Sequence, residues 1–249
     1  MTRLTHKTAV ITGGSTGIGF ETAQQFIAEG ARVLITGQNE SRLAEAAERL
    51  GPPAIPVKAD VRSLDDLDTL VAQVRAEFGA LDILFANAGI GGFAPLDAID
   101  EAFYDSQFDI NVKGVFFTVQ KLAGLFKGGA SVILNASAVN EKGMAMGSVY
   151  FATKAAVRSL ARTLAAELGD RQIRVNSLSP GLVMTNFQGK MGMPQEALEG
   201  FAKYVADAAP LSRLGQVEEI AAAAVFLASD DSSYMTAADL VVDGGYMNV

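Results

Sequence analysis

One feature constrains this chain more than any other: short apolar, β-branched runs alternate with helical stretches from Thr8 to Val242. Thr8-Ala9-Val10-Ile11-Thr12 opens the series as a buried strand. The chain then passes through Gly13 to Gly19 into a helix that runs to about Glu29 and stops at Gly30. A strand at Arg32 to Thr36, a helix at Glu40 to Leu50 closed by Gly51-Pro52-Pro53, and a strand at Ala54 to Ala59 follow. Next come a helix at Asp65 to Phe78 and a strand at Leu81 to Ala86. The second half predicts one long helix from Glu101 to Phe126, ended by Gly128-Gly129, and a strand from Ser131 to Asn135. A helix at Tyr150 to Leu168, a strand at Ile173 to Leu178, a helix at Val217 to Ala228 and a strand at Leu240 to Val242 complete it. This alternation implies an α/β fold with a parallel sheet covered by helices on both faces. No repeat and no linker of shifted composition breaks the chain, so residues 1–249 read as a single domain. Residues 182–214 interrupt the pattern and carry Met184, Met191 and Met193. They follow the C-terminal end of a strand, where ligands bind in such sheets, and read as a substrate lid.

Composition removes several chemistries. There is no cysteine, which excludes disulfides and thiolate catalysis, and the only histidine, His6, precedes the first strand. A Ser-His-Asp triad or a histidine-rich zinc site therefore has nothing to use. The net charge of -8 argues against nucleic acid and anionic membranes as partners. No run of eighteen apolar residues suggests a membrane span, and the N-terminus lacks an apolar signal region, so a cytoplasmic protein is expected. Asp65-Asp66-x-Asp68 and Asp230-Asp231 read as solvated helix starts rather than a metal site. Phe116-Phe117 and Phe151 read as core or subunit-face residues.

Two local patterns carry chemistry. Gly13-x-x-x-Gly17-x-Gly19 joins the first strand to the first helix. Glycines there let the backbone turn tightly and approach a pyrophosphate, which the helix N-terminus receives with free N–H groups. Tyr150 and Lys154 lie one helical turn apart on one face, with Ser137 upstream at the end of a strand. A phenol titrates ordinarily near 10, and bringing it to half-ionisation at neutral pH needs about 4 kcal/mol. A neighbouring ammonium and a cofactor's positive ring can supply energy of that order. Asp60, ending the third strand, has two readings: a partner for an adenine amino group, or the cap of a turn.

Thr12-Gly13-x-x-x-Gly17-x-Gly19, Asp60, Asn87-Ala88-Gly89, Asn111, Ser137, Tyr150-x-x-x-Lys154 and Pro180-Gly181 occur in that order. Together they resemble the short-chain dehydrogenase/reductase family, over essentially the whole chain. The resemblance implies a Rossmann-type, doubly wound parallel sheet of seven strands in three α/β/α layers, and a nicotinamide cofactor. It implies a homotetramer in which the helices bearing Asn111 and Tyr150 pack at one interface. By position it gives Tyr150 the role of acid/base. Lys154 is to lower the phenol's pKa and hold the nicotinamide ribose, and Ser137 to orient and polarise the substrate carbonyl. Asn111 is to hold a relay water between Lys154 and solvent. The cofactor would lie along Gly13, Ser15, Thr16, Gly17, Ile18 and Gly19, then Gln38, Asn39, Asp60 and Val61, then Asn87, Ala88 and Gly89. Tyr150, Lys154, Pro180, Gly181, Val183 and Thr185 would complete its binding, with Thr185 at the carboxamide.

The chain departs from the family pattern in two places. Ala86 replaces the first Asn of the usual Asn-Asn-Ala-Gly. The second strand ends Ile35-Thr36-Gly37-Gln38-Asn39, without the acid that takes a ribose 2′-OH in NAD users. It also lacks the Arg that takes a 2′-phosphate there. The acid-free end, with Gln38, Asn39, Ser15 and Arg42 nearby, leans towards NADP(H) over NAD(H). The expected activity is hydride transfer between NAD(P)(H) and a small-molecule ketone or secondary alcohol. A 3-oxoacyl-thioester reductase would use the same residues but needs a basic entrance for its carrier protein. A non-catalytic dinucleotide-sensing protein would be expected to lack the Tyr or the Lys.

Overall fold

The computed structural model describes residues 2–185 and 195–249. Seven strands form one sheet: β1 (Thr8–Ile11), β2 (Arg32–Gly37), β3 (Ala54–Lys58), β4 (Leu81–Ala86), β5 (Phe126–Asn135), β6 (Arg174–Pro180) and β7 (Asp239–Val242). Their order is β3-β2-β1-β4-β5-β6-β7, and every neighbouring pair is parallel. The α-helices are α1 (Gly17–Ala28), α2 (Glu40–Leu50), α3 (Leu64–Phe78), α4 (Glu101–Phe108), α5 (Val115–Leu122), α6 (Ser148–Leu168), α7 (Gln195–Ala208) and α8 (Val217–Ala228).

The apolar strands are explained by burial on both sides. Successive residues of β1 point to opposite faces. Ala9 and Ile11 pack with Ala23 and Phe26 of α1, Leu43 of α2 and Ile220 of α8. Val10 packs on the other face with Leu70 of α3, Val119 of α5 and Val157 of α6. Caps fix several helix starts: Asn39 accepts from the Arg42 amide (2.8 Å), Ser63 from Asp66 (3.2 Å) and Asp100 from Phe103 (2.8 Å). α1 has no side-chain cap, which leaves its first N–H groups available at the glycine loop. The strand order reverses between β1 and β4. A crevice opens at the carboxyl ends of these strands, the binding position of open α/β sheets.

Two expectations need correction. The single helix from Glu101 to Phe126 is α4, a π-helical turn at Asp109–Gly114, α5 and a 3-10 turn at Ala123–Leu125. β5 starts at Phe126 rather than Ser131, because Gly128-Gly129 forms an irregularity within the strand instead of breaking a helix. Gly129 has φ +83, and the β4–β5 register shifts between Leu81 and Ile83. Within residues 182–214 lies α7, whose Leu198, Phe201 and Val205 follow helical spacing. Met191 and Met193 of the expected lid lie outside the described residues. Among the described residues, no helix is long and apolar enough to cross a membrane.

Candidate active site

The glycine loop is held by what surrounds it. Gly13 has φ +65, and a Cβ on Gly19 would run into the Gly13 carbonyl oxygen. The Thr12 hydroxyl accepts from the amides of Asn87 and Ala88, both at 3.0 Å. The Asn87 side chain donates to the carbonyls of Thr12 (3.0 Å) and Gly13 (3.3 Å) and accepts from Asn135 Nδ2 at 2.8 Å. Asn87 thus ties the ends of β1, β4 and β5 together.

A cleft of about 480 Å³ runs from this loop to Tyr150. Gly13, Ser15, Thr16, Gly17, Ile18, Gly19, Gln38, Asn39, Val61, Asn87, Ala88, Gly89, Ser137, Tyr150, Lys154, Pro180, Gly181, Val183 and Thr185 all line it. Thr185 reaches across to Gly17, where a Cβ would meet its Cβ at 3.3 Å. Asp60 and Asn111 do not line it. The Asp60 carboxylate faces Arg62, accepting from its amide (3.0 Å), Nε (2.9 Å) and Nη2 (2.6 Å). These contacts make Asp60 the cap of its turn, and the guanidinium holds the Asp60 carboxyl below its ordinary value. Arg62 takes its place in the cleft wall, with Arg42 nearby. The cradle suits an anionic dinucleotide: an uncapped helix N-terminus, a loop without room for side chains, and a buried Asn135 Oδ1 with no protein partner.

At the far end, β5 delivers Ser137, and α6 delivers Tyr150 and Lys154. Tyr150 is hydrogen-bonded to the Ser137 side chain. Lys154 Nζ donates to the Asn135 carbonyl at 2.8 Å and lies 5.9 Å from the Tyr150 ring centroid. Burial pushes the Tyr150 phenol up to about 12, opposed by the Ser137 bond. Burial also pushes the Lys154 ammonium down to about 8. In the protein alone, desolvation is thus the dominant influence on the phenol. Asn111 is buried in the π-helical turn. Its Oδ1 accepts from the Ile90 amide (2.9 Å), and its Nδ2 donates to the Ile90 carbonyl (2.9 Å) and to Thr153 Oγ1 (3.0 Å). Thr153 Oγ1 donates in turn to the Tyr150 carbonyl at 2.7 Å. The Asn111 side chain braces the turn of α6 that carries Tyr150, and both its N–H groups are engaged in doing so.

Sequence reasoning missed the substrate end. Phe93 packs against Tyr150, Phe151 and Phe201 with ring centroids 5.6, 6.2 and 6.3 Å apart. Phe151, expected in the core or at a subunit face, lines the cleft. Lys142, Met144 and Tyr246 line it too. The helical spacing of Phe201 with Leu198 and Val205 was the one available signal.

A family model described as enoyl-(acyl carrier protein) reductase matches residues 13–247. The oxidoreductase asL5 of Sarocladium schorii is 46% identical over 249 residues, covering 99% of this chain and 98% of that protein. The galactitol 2-dehydrogenase of Agrobacterium fabrum is 38% identical and covers 98% of each. The crystal structure of a short-chain type dehydrogenase/reductase from Mycobacterium marinum superposes with TM-score 0.91 at 34% identity, covering 100% of this chain and 98% of that one.

Proposed function

The chain belongs to the short-chain dehydrogenase/reductase family, a family of NAD(P)-dependent oxidoreductases, and from that premise we propose that Tyr150 is its acid/base in the interconversion of a ketone and a secondary alcohol. The observation that carries this reading is the buried Tyr150 phenol hydrogen-bonded to Ser137, with the Lys154 ammonium beside it at the end of the cleft. When bound, the nicotinamide supplies or accepts the hydride and, in its oxidised form, adds a positive ring. Tyr150 gives a proton to the substrate oxygen in reduction and removes it in oxidation. Ser137 holds the same oxygen with a second hydrogen bond. Lys154 steadies the phenolate as it forms, and Asn111 positions Tyr150 through Thr153. The Phe93 wall keeps water from the reacting carbon.

NADP(H) is favoured over NAD(H). No carboxylate stands at the end of β2, and Ser15, Arg42 and Arg62 line that part of the cleft. The secondary-alcohol reading agrees with the galactitol dehydrogenase among the relatives. We further read residues 1–249 as one domain, with residues 182–214 as the lid, in a cytoplasmic homotetramer. Exposed Phe116 on α5, and Tyr104 stacked on Phe108 of α4 at 4.5 Å, suit a helical subunit face.

The deciding experiment is Tyr150→Phe. Ketone turnover with NADPH should fall roughly 10²- to 10⁴-fold, the range typical of a lost general acid. The dissociation constant for NADPH should stay within about threefold. Undiminished turnover in this variant would refute the assignment.

A further inference from the structure

Beyond Lys154, and apart from Arg42 and Arg62 at the dinucleotide end, the described residues of the cleft include the cation Lys142, which hydride transfer does not use. Ser137 caps a 3-10 turn at Ala138–Glu141, and Lys142 follows at the end of that turn. Lys142 therefore shares a wall with the group expected to hold the substrate oxygen, and it lines the same cleft. Its Nζ donates to the Tyr246 carbonyl at 3.1 Å and stands 3.7 Å from the Tyr246 ring centroid. The neighbouring acid, Glu141, is engaged with Arg158. Among the described residues no carboxylate pairs with Lys142.

Its surroundings place Lys142 at the substrate end and not along the dinucleotide. Tyr246 is buried against Val205 and Ala209, with Leu182 and Phe201 around them. Phe201 and Val205 belong to α7, and Ala209 follows its end. Phe93, Phe151 and Met144 line the same cleft, and Phe93 packs against Phe201. A polyol would need several hydrogen-bonding groups in such a wall, and the described residues around Lys142 offer mainly aromatic and aliphatic surface. A half-buried ammonium beside apolar groups gains from an aromatic face and from one carbonyl. Neither contact neutralises its charge. A carboxylate would do so, with a charge-assisted hydrogen bond.

We propose that Lys142 is a specificity-determining residue, and that the substrate is an aryl or otherwise apolar ketone, or the matching alcohol, carrying a carboxylate that pairs with it. The proposal rests on the ketone–alcohol reading of the same site. The body of the substrate lies against Phe93, Phe151 and Phe201, its carbonyl meets Tyr150 and Ser137, and its carboxylate meets the Lys142 ammonium.

The test uses aryl keto acids with one to three methylenes between carbonyl and carboxylate, each paired with its primary amide. Binding to the NADP⁺-loaded protein is measured by calorimetry, and turnover is measured with NADPH. At least one acid should exceed its amide tenfold or more, in affinity and in kcat/KM. Lys142→Met should bring that ratio close to one, and Lys142→Arg should largely retain it. A ratio near one across the series in the wild type would overturn the proposal, as would a tenfold ratio that survives in Lys142→Met. A variant that instead loses NADPH affinity would assign Lys142 to the cofactor and overturn it too. If neither acids nor amides are turned over, yet the acid preference in binding disappears with Lys142→Met, the anion site stands and the oxidoreductase reading fails. If amides and acids are turned over alike, the reverse holds.

Discussion

Replacing Lys154 by Met should shift stability in a way that depends on pH and can be calculated from burial. The Lys154 ammonium titrates at about 8 in the folded protein against an ordinary value of 10.5, because burial disfavours its charge. Between these values the unfolded chain holds more protons than the folded one, so wild-type stability rises with pH across that window. Below about pH 8 the burial penalty is present in full. From pH 7 to pH 10 the relief covers roughly two pH units, or about 2.7 kcal/mol at 1.36 kcal/mol per unit. Met carries no charge and feels none of this. It also leaves the Asn135 carbonyl without the donor that Lys154 supplies at 2.8 Å, a loss of about 1–3 kcal/mol at any pH. The fixed loss and the titrating gain nearly offset each other at pH 7, so the variant should be about as stable as wild type there. It should be clearly less stable at pH 10. Tyr150, pushed up to about 12, lowers stability above pH 10, but it does so in both proteins and cancels in the comparison. Urea denaturation at pH 7 and pH 10, at fixed protein concentration, reads the difference. A swing below about 1 kcal/mol, or one of opposite sign, would refute the desolvation of the ammonium and the stability change derived from it.

Further outcomes follow from the same geometry. A phenol that holds its proton is ready as a donor, so ketone reduction should change little between pH 6 and pH 9 while alcohol oxidation rises. Initial rates in both directions check this, and oxidation that falls with rising pH would contradict it. Gly37→Asp should lower the NADPH-to-NADH preference in kcat/KM by roughly 10- to 100-fold, since like charges about 4 Å apart repel by up to about 4 kcal/mol near a surface. The new Cβ meets Ser15 Oγ at 3.3 Å and Leu43 Cδ1 at 3.6 Å, so a small adjustment accommodates it, and an unchanged preference would move the 2′-phosphate elsewhere. Gly19→Ala drives a Cβ into the Gly13 carbonyl and to 2.6 Å from Asn87 Nδ2. Dinucleotide affinity measured by fluorescence titration should drop tenfold or more, and wild-type affinity would show that the loop does not cradle the phosphates.

What could be read from the sequence was what short stretches encode. The β-branched runs, the glycine loop and the Tyr150–Lys154 spacing each carry their meaning within a few residues, and apart from the early start of β5 they lie where expected. Arg62 stands two residues from Asp60, but that its guanidinium folds back onto the carboxylate depends on where a side chain turns. Gly128-Gly129 punctuates equally well as a helix stop or a strand irregularity, and only the pairing of β4 with β5 selects the second. Lys142 and Tyr246 lie far apart in the chain and meet only because the C-terminal turn folds back beneath α7. The aromatic wall has the same origin, since Phe93, Phe151 and Phe201 come from three separate segments.

The π-helical turn at Asp109–Gly114 has a consequence for angular phase. Gln107, Asn111, Val115 and Val119 are all buried at intervals of four residues. In a regular α-helix each step of four overshoots a full turn by about 40°, so three steps rotate the stripe by about 120°. One π turn takes up an extra residue and returns about 100° of that rotation. The four side chains consequently form a nearly straight seam, whose upper half braces the Ile90 and Gly92 backbone and whose lower half enters the hydrophobic core. Deleting a single residue between Asp109 and Gly114 would let the backbone relax into uninterrupted α-helix, and the two halves of the seam would then face in directions about 100° apart. The wide turn is thus the phase correction that allows one rod to serve the sheet and α6 together.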